Sequence, residues 1–168
     1  AEAAAKAYEA IVEQARQPDL YSRYGVADTL DGRFDLLVLH ASLVLIRLKG
    51  EEGESEAFAQ ALFDTLFTDM DQSLREIGVS DMSIGKKVKE MGRAFYGRLE
   101  AYEAGLAAPD EERRAALAEA LSRNLFRGTN QAAPDAGEMA DYTLRQAAHL
   151  STLDSISIAR GELTFALP

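Results

Sequence analysis

The hydrophobic positions of this chain recur with the 3.6-residue period of an α-helix, and no useful period-two alternation precedes the closing residues. Proline and glycine divide this pattern into successive helical segments. We predict helices over residues 1–17, 32–49, 54–77, 83–107, 109–128 and 134–150, with short helical pieces near 18–25 and 151–160. The pattern therefore predicts an all-α fold, a single-domain bundle of about seven helices over residues 1–168.

The segment from Gly32 to Lys49 is the most apolar in the chain. Only His40 and Ser42 interrupt the eleven residues from Leu36 to Ile46. A helix that crosses a membrane needs about 20 consecutive apolar residues, and charged residues bracket this run too closely. We therefore predict a buried central helix around which the others pack.

Polar side chains on this helix are predicted to have structural roles. His40 and Arg47 fall on one apolar face of a helical wheel, so we expect both at contacts between helices and not in an open cleft. A second structural group at the start of the helix comprises Asp28, Asp31, Arg33 and Asp35. Asp28, Thr29 and Asp31 can supply capping groups for this helix. We expect Asp28 or Asp31 to form the cap and Arg33 to meet an acid on a neighbouring element.

The turn near residue 78 and the helix after it are the most informative stretch for function. Gly78 suits the left-handed conformation that follows a helix C-terminus, and Asp81 is among the residues that can cap the next helix. Residues 82–98 carry five basic side chains and one acid, a local net charge of +4 in a chain of net charge −10. Opposite an apolar stripe, the wheel gathers a basic face of Lys86, Lys89 and Arg93, with Tyr96 at its edge.

Two glycines lie on the flank between those faces, Gly85 and Gly92. Glycine costs about 1 kcal/mol relative to alanine inside a helix, so the pair indicates a helix or a ligand that approaches closely. Three further basic side chains border the region and are either partner-binding or structural: Lys87, Arg98 and Arg75. A basic face is most often simply solvated, so charge clustering alone leaves the function open.

Composition and motifs exclude several kinds of site. The chain has no cysteine, and its two histidines are far apart and outside the motifs of di-iron or zinc sites. It also has no nucleophile elbow. We therefore expect a protein that is not an enzyme and holds no cofactor or metal. The first residues read as a helix and not as a secretory signal, and the absence of an initial methionine leaves room for a preceding segment.

Two long motifs resemble a known family. The stretch FTDMDQSLREIGVSDMSIGKKVKEMGRAFYGRLEAY, residues 67–102, and DTLDGRFDLLVLHASLVLIRL before it are similar to the ubiquinol–cytochrome c chaperone family. This family includes bacterial relatives of the mitochondrial assembly factor for cytochrome b of the bc1 complex. The resemblance continues through LAEALSRNLFRG and GELTFALP, so it covers about residues 21–168. Its densest motif contains Gly78, Asp81, Gly85, Gly92 and Gly97.

The resemblance implies a non-enzymatic assembly chaperone that binds newly made cytochrome b, or a similar membrane subunit, for biogenesis of the respiratory bc1 complex. The basic face, with Met82, Met91 and Tyr96, would suit a client segment that has apolar and acidic groups. Mitochondrial relatives carry a targeting extension that this chain lacks, which fits a bacterial cytoplasmic protein.

Two alternatives use the same basic face. In a peripheral module at the inner membrane, Lys86, Lys87, Lys89 and Arg93 would touch anionic headgroups. In a ribosome-associated module, they would touch RNA. The net charge of −10 disfavours nonspecific nucleic-acid binding, and we expect no DNA partner.

Overall fold

Helices account for all the regular secondary structure that the structure describes. The computed structural model describes residues 2–127 and 136–168. In chain order the helices are α1 Glu2–Ala15, α2 Pro18–Ser22, α3 Leu30–Leu48, α4 Glu54–Glu76, α5 Asp81–Ala107, α6 Asp110–Asn124, α7 Ala136–Ser151 and α8 Ser155–Ala159. The all-α prediction is confirmed. Two five-residue helices, α2 and α8, raise the described count to eight.

The start of α3 corrects the predicted cap. Thr29 has the extended backbone of an N-cap residue, and its hydroxyl accepts a hydrogen bond from the amide of Gly32 at 3.1 Å. The helix therefore begins two residues earlier than predicted, and the assignment of the cap to Asp28 or Asp31 was wrong. Asp31 instead lies in the first turn, 3.8 Å from the guanidinium of Arg127.

The partner of Arg33 also differs from the prediction. Its Nε donates to Asp28 at 2.9 Å, within the loop that leads into α3 and not on a neighbouring element. Both side chains are 62% exposed, and water screens the attraction within exposed pairs of this kind. The pair is therefore a minor surface contact.

The central position of α3 follows from its apolar sequence. It packs against α1, α4, α5 and α7, while α6 closes the other side of the bundle against α5 and α7. Buried side chains from every helix form one hydrophobic cluster, in which α3 contributes Leu36, Val38, Leu39, Leu43 and Val44. The helix end predicted at residue 128 and the helix start predicted at residue 134 fall outside the described residues.

His40 lies fully buried between α3 and α7. Its Nδ1 is 2.7 Å from the carbonyl oxygen of Leu36, which can only accept, so Nδ1 carries the proton. Nε2 then accepts a hydrogen bond from the Tyr142 hydroxyl at 2.6 Å. That hydroxyl accepts in turn from Gln14 of α1 at 2.9 Å. The neutral ring therefore links three helices through satisfied hydrogen bonds.

Arg47 makes a second polar contact between α3 and the end of α7. Its guanidinium donates to the carbonyl oxygens of Leu150 at 3.1 Å and Leu153 at 2.9 Å. The first carbonyl lies in the last turn of α7 and the second just after this helix. Backbone acceptors at a helix C-terminus lack helical partners, and a positive charge is favourable there. Arg47 thus satisfies the end of a neighbouring helix.

The last residues form an extended segment that lies on the bundle. Gly161, with a φ of 87°, turns the chain after α8. The Ala166 amide donates to Gln146 at 2.8 Å, and the Ala166 carbonyl accepts from the same glutamine at 2.8 Å and from Gln14 at 3.0 Å. This pairing replaces the backbone partners that a helix or a strand would supply.

Two helical glycines predict opposite effects of an added methyl group. A Cβ on Gly32 would lie 1.9 Å from the carbonyl oxygen of Ala27, whereas a Cβ on Gly85 would have nothing within 4 Å. We expect Gly32→Ala to lower the free energy of unfolding by about 2 kcal/mol or more, and Gly85→Ala to raise it by about 0.5–1 kcal/mol. Urea denaturation measures both, and equal changes in the two variants would contradict the close packing at Ala27.

Burial of His40 predicts a loss of stability in acid. Burial lowers the pKa of His40 from 6.5 to about 4, so the unfolded chain binds more protons between these values. Stability should therefore fall by up to about 3 kcal/mol as the pH drops through this window. The His40→Gln variant should lack this component. The difference in unfolding free energy between wild type and this variant should therefore be smaller at pH 4.5 than at pH 7. An equal difference at both pH values would contradict a lowered pKa of His40.

Candidate partner-binding site

A tight turn joins α4 to α5 and makes them an antiparallel hairpin. Gly78 has a φ of 96°, and the amides of Gly78 and Val79 donate to the carbonyls of Arg75 and Leu74 at 3.1 and 3.0 Å. These bonds satisfy carbonyls at the end of α4, as an αL helix cap does. Gly78 is therefore the residue that lets the chain reverse.

Arg75 braces this turn. Its guanidinium donates to Asp71 at 3.2 Å and also pairs with Asp81, the first residue of α5. One side chain thus links the last turn of α4 to the first turn of α5. Of the two roles that the sequence leaves open for Arg75, partner-binding or structural, its two carboxylate partners favour the structural one.

The first half of α5 is poorly covered. Between Asp81 and Ala94 only Ile84 is buried, while Val88 and Met91 are half-buried. Farther along, Phe95 and Tyr102 are fully buried, where the helix passes between α3 and α6. The helix therefore has a half that belongs to the core and a half that offers its sides to solvent.

The basic face lies on the uncovered half. Lys86, Lys89 and Arg93 are all exposed. Within residues 2–127 and 136–168 none of the three makes an ion pair. Lys87, also exposed, lies 4.0 Å from Glu90, which is a weak contact along the helix. The three cations are therefore free to meet an anionic group on another molecule.

An aromatic patch adjoins the basic face. The ring of Tyr96, 56% exposed, lies 5.3 Å from that of Phe63 and 5.9 Å from that of Phe95. Phe67 stacks 4.5 Å from Phe63, and both are half-buried. We name these four residues the aromatic patch. The sequence analysis missed its α4 half, although the four-residue spacing of the two phenylalanines could have shown it.

The glycines of α5 differ in what faces them. A Cβ on Gly92 would lie 3.4 Å from the ring of Phe67, an ordinary contact, whereas Gly85 and Gly97 have nothing within 4 Å. The predicted approach of another helix is thus wrong for Gly85 within the described chain. An approach by a ligand or partner to Gly85 stays a prediction.

Arg98 lies inside the bundle and not on the basic face. Its side chain is only 12% exposed, and Nη2 lies 3.2 Å from the carboxylate of Asp35, which is fully buried. It also donates to the carbonyl of Asn124 at 3.3 Å. The sequence left Arg98 open between a partner-binding and a structural role, and these contacts favour the structural one, a buried bridge from α5 to α3 and α6.

A second arginine completes this bridge. Arg127 donates to both oxygens of Asp35, at 2.8 and 3.0 Å. Burial, the largest influence, raises the pKa of Asp35, and the two guanidiniums act in the opposite direction. The sequence analysis missed Arg127, since nothing in its local pattern indicates a partner 92 positions earlier.

A groove runs beside the aromatic patch. Two adjoining depressions of about 540 and 630 Å³ share Leu45 of α3, Ala59 of α4 and Leu99 of α5 in their linings. Phe63 and Tyr96 line the second depression. We name this feature the α4–α5 groove. In the part of the chain that the structure describes, no helix has the length and hydropathy needed to cross a membrane.

Removal of Arg98 should destabilise the fold. We expect Arg98→Ala to lower the free energy of unfolding by about 3–5 kcal/mol, because it leaves the Asp35 carboxylate buried with one partner fewer. Lys89→Ala, an exposed matched change on the same helix, should stay within about 0.5 kcal/mol of wild type. Urea denaturation distinguishes the two, and a loss below about 1 kcal/mol for Arg98→Ala would contradict the bridge.

Comparison with known proteins agrees with the resemblance seen in the sequence. The family described as Ubiquinol-cytochrome C chaperone matches residues 22–165. The chain is similar to the crystal structure of the Cbp3 homolog from Brucella abortus, with a TM-score of 0.87 and 37% identity, over 98% of this chain and 89% of that one.

Two vertebrate relatives carry the name ubiquinol-cytochrome c reductase complex assembly factor 1. The Xenopus laevis protein is 25% identical over 155 residues, which cover 90% of this chain and 74% of that protein. The Mus musculus protein is 25% identical over 155 residues, which cover 90% of this chain and 50% of that protein. The chain thus spans half the length of the mouse relative. From the family match over residues 22–165 and the shared fold, we conclude that the chain belongs to the ubiquinol–cytochrome c chaperone family.

Proposed function

We propose that this chain is a non-enzymatic assembly chaperone that holds newly made cytochrome b, or a similar membrane subunit of the bc1 complex, through α5. The observation that carries the proposal is a group of three exposed cations, Lys86, Lys89 and Arg93, beside the exposed ring of Tyr96. None of the three pairs with an acid among the described residues. These residues fall inside the region that matches the family.

The uncovered half of α5 has the chemistry to hold such a client. A membrane subunit outside the bilayer exposes apolar segments that associate readily. Tyr96 and Met82, which is 97% exposed, offer apolar contact area, and methionine adapts to irregular surfaces. The neighbouring cations would attract acidic side chains in the loops of the client and fix its orientation. This combination favours reversible holding over tight burial.

The buried titratable groups support a binding role over catalysis. His40 and Asp35 are enclosed in the bundle and occupied by hydrogen bonds between helices. A catalytic acid or base must reach a substrate proton through space or one water molecule. Neither group meets this requirement in the folded chain.

A peripheral membrane function is the second candidate. The turn between α4 and α5 presents Ile77, 60% exposed, and Met82 close to Lys86. Apolar side chains next to lysines are the combination that binds anionic bilayer surfaces. Asp71, Glu76 and Asp81 also lie near this turn and would oppose such binding, so the assembly role is the one we favour.

The decisive variant reverses the three unpaired charges. Lys86→Glu, Lys89→Glu and Arg93→Glu together should keep helicity and melting, at a cost of about 0.5 kcal/mol or less per site. Capture of tagged cytochrome b should weaken at least about tenfold, with the largest loss at low salt. The matched control reverses three exposed charges away from this face, Lys6 on α1, Arg16 just after α1 and Arg123 on α6, and gives the same change in net charge.

The outcomes separate the candidates. Equal capture of cytochrome b and equal binding to anionic vesicles by the folded triple variant and wild type would show that the basic face is only solvated. Loss of binding to anionic vesicles, with capture of cytochrome b retained, would favour the membrane function. Equal weakening by the control variant would attribute the effect to net charge and not to this surface.

A further inference from the structure

The α4–α5 groove has an apolar floor that no segment within residues 2–127 and 136–168 covers. Leu45, Ala59, Phe63 and Leu99 line it from three helices, and each is half-buried. Apolar surface left in water costs about 25 cal/mol per Å² relative to burial, so a partner that covers this floor gains free energy. Ala59, whose side chain is small, leaves room there for a larger side chain from outside.

One end of the groove has an acidic rim. Glu51 and Glu52 line it from the loop before α4, Glu56 from the first turn of α4, and Glu103 from α5. Lys49 is paired with Glu103 at 2.7 Å. Glu52 and Glu56 are exposed and make no ion pair with any described residue. This end therefore carries uncompensated negative charge beside an apolar floor.

The other end of the groove leads toward the basic face. Lys89, Tyr96 and Glu103 are spaced by seven residues along α5, so they lie on one side of the helix, two turns apart. Tyr96 and Glu103 both line the groove. A molecule lying in the groove would therefore meet acidic groups at one end and basic groups at the other.

We propose that the α4–α5 groove docks an amphipathic helical segment of a partner protein, with apolar side chains on one face and lysine or arginine at the end that lies over Glu52 and Glu56. The acidic rim selects this occupant, because it repels anionic lipid headgroups and nucleic-acid phosphates and attracts basic side chains. A groove between helices receives such a segment through side chains at helical spacing. The inference rests on the proposed function, since it gives the chemistry of one segment of the client.

A peptide pair tests the groove directly. The probe is a helical peptide of about 18 residues with leucines on one face, one tryptophan among them and two lysines at one end. The matched peptide has glutamates in place of the lysines. Since the chain has no tryptophan, a blue shift of peptide fluorescence reports burial. We expect saturable binding of the lysine peptide to the full chain, at least about tenfold tighter than that of the glutamate peptide.

Two groove variants locate the binding. Glu52→Lys with Glu56→Lys should weaken the lysine peptide at least about tenfold. Ala59→Phe, which fills the floor, should weaken both peptides. The matched control is Glu9→Lys with Glu13→Lys, two exposed acids at the same spacing on α1, and should bind as wild type does. Melting curves establish that each variant is folded.

Several results would overturn the inference. Equal binding of the two peptides would show that the rim does not select charge, and unchanged binding by the folded groove variants would place the peptide elsewhere. Absence of peptide binding, with cytochrome b capture still sensitive to the basic face, would reject the groove and leave the proposed function standing. Groove binding of the lysine peptide without any capture of cytochrome b would reject the proposed function alone.

Discussion

The buried carboxylate of Asp35 is the contact that fixes the bundle and the candidate site relative to each other. An ionised carboxylate removed from water costs several kcal/mol unless charged partners surround it. Arg98 of α5 and Arg127, just after α6, supply these partners. Since each guanidinium must keep its direction toward the same carboxylate, α3, α5 and the end of α6 are held in one arrangement.

The position of α5 has a direct consequence for function. Its second half is fixed in the core by Arg98, Phe95 and Tyr102, so its first half extends from a rigid base. The turn braced by Arg75 holds α4 beside this half. The basic face, the aromatic patch and the groove are thus on regular helices, which position side chains more firmly than loops do.

Polar groups inside the bundle serve specificity of packing as well as stability. The His40 ring accepts from Tyr142 and donates to its own helix, while Arg47 donates to the last carbonyls of α7. Slippage of α7 along α3 would leave these groups buried without partners, at a cost of about 1–3 kcal/mol each. An entirely apolar contact would tolerate such slippage more easily. The cations of the basic face instead lie on the half of α5 that is poorly covered by other helices.

The sequence by itself determined the helical class, the central place of α3, the turn at Gly78 and the family. Each of these depends on residues close together in the sequence. The signals are the period of the apolar residues, a glycine that can adopt positive φ, and a long contiguous motif. The exposure of Lys86, Lys89 and Arg93 also followed from the wheel. These features depend on neighbours a few residues away, so a linear pattern contains them.

Only the tertiary structure decided which charged residues are available. The helical wheel left the role of Arg98 open, and only the packing of α5 against α3 shows that Asp35 holds it. The N-cap of α3 is Thr29 and not Asp28 or Asp31, because Thr29 is the residue with the extended backbone that an N-cap needs. The groove also joins residues of α3, α4 and α5 that are distant in the chain. Pairing across helices depends on how they pack, and the pattern of any single helix does not specify that packing.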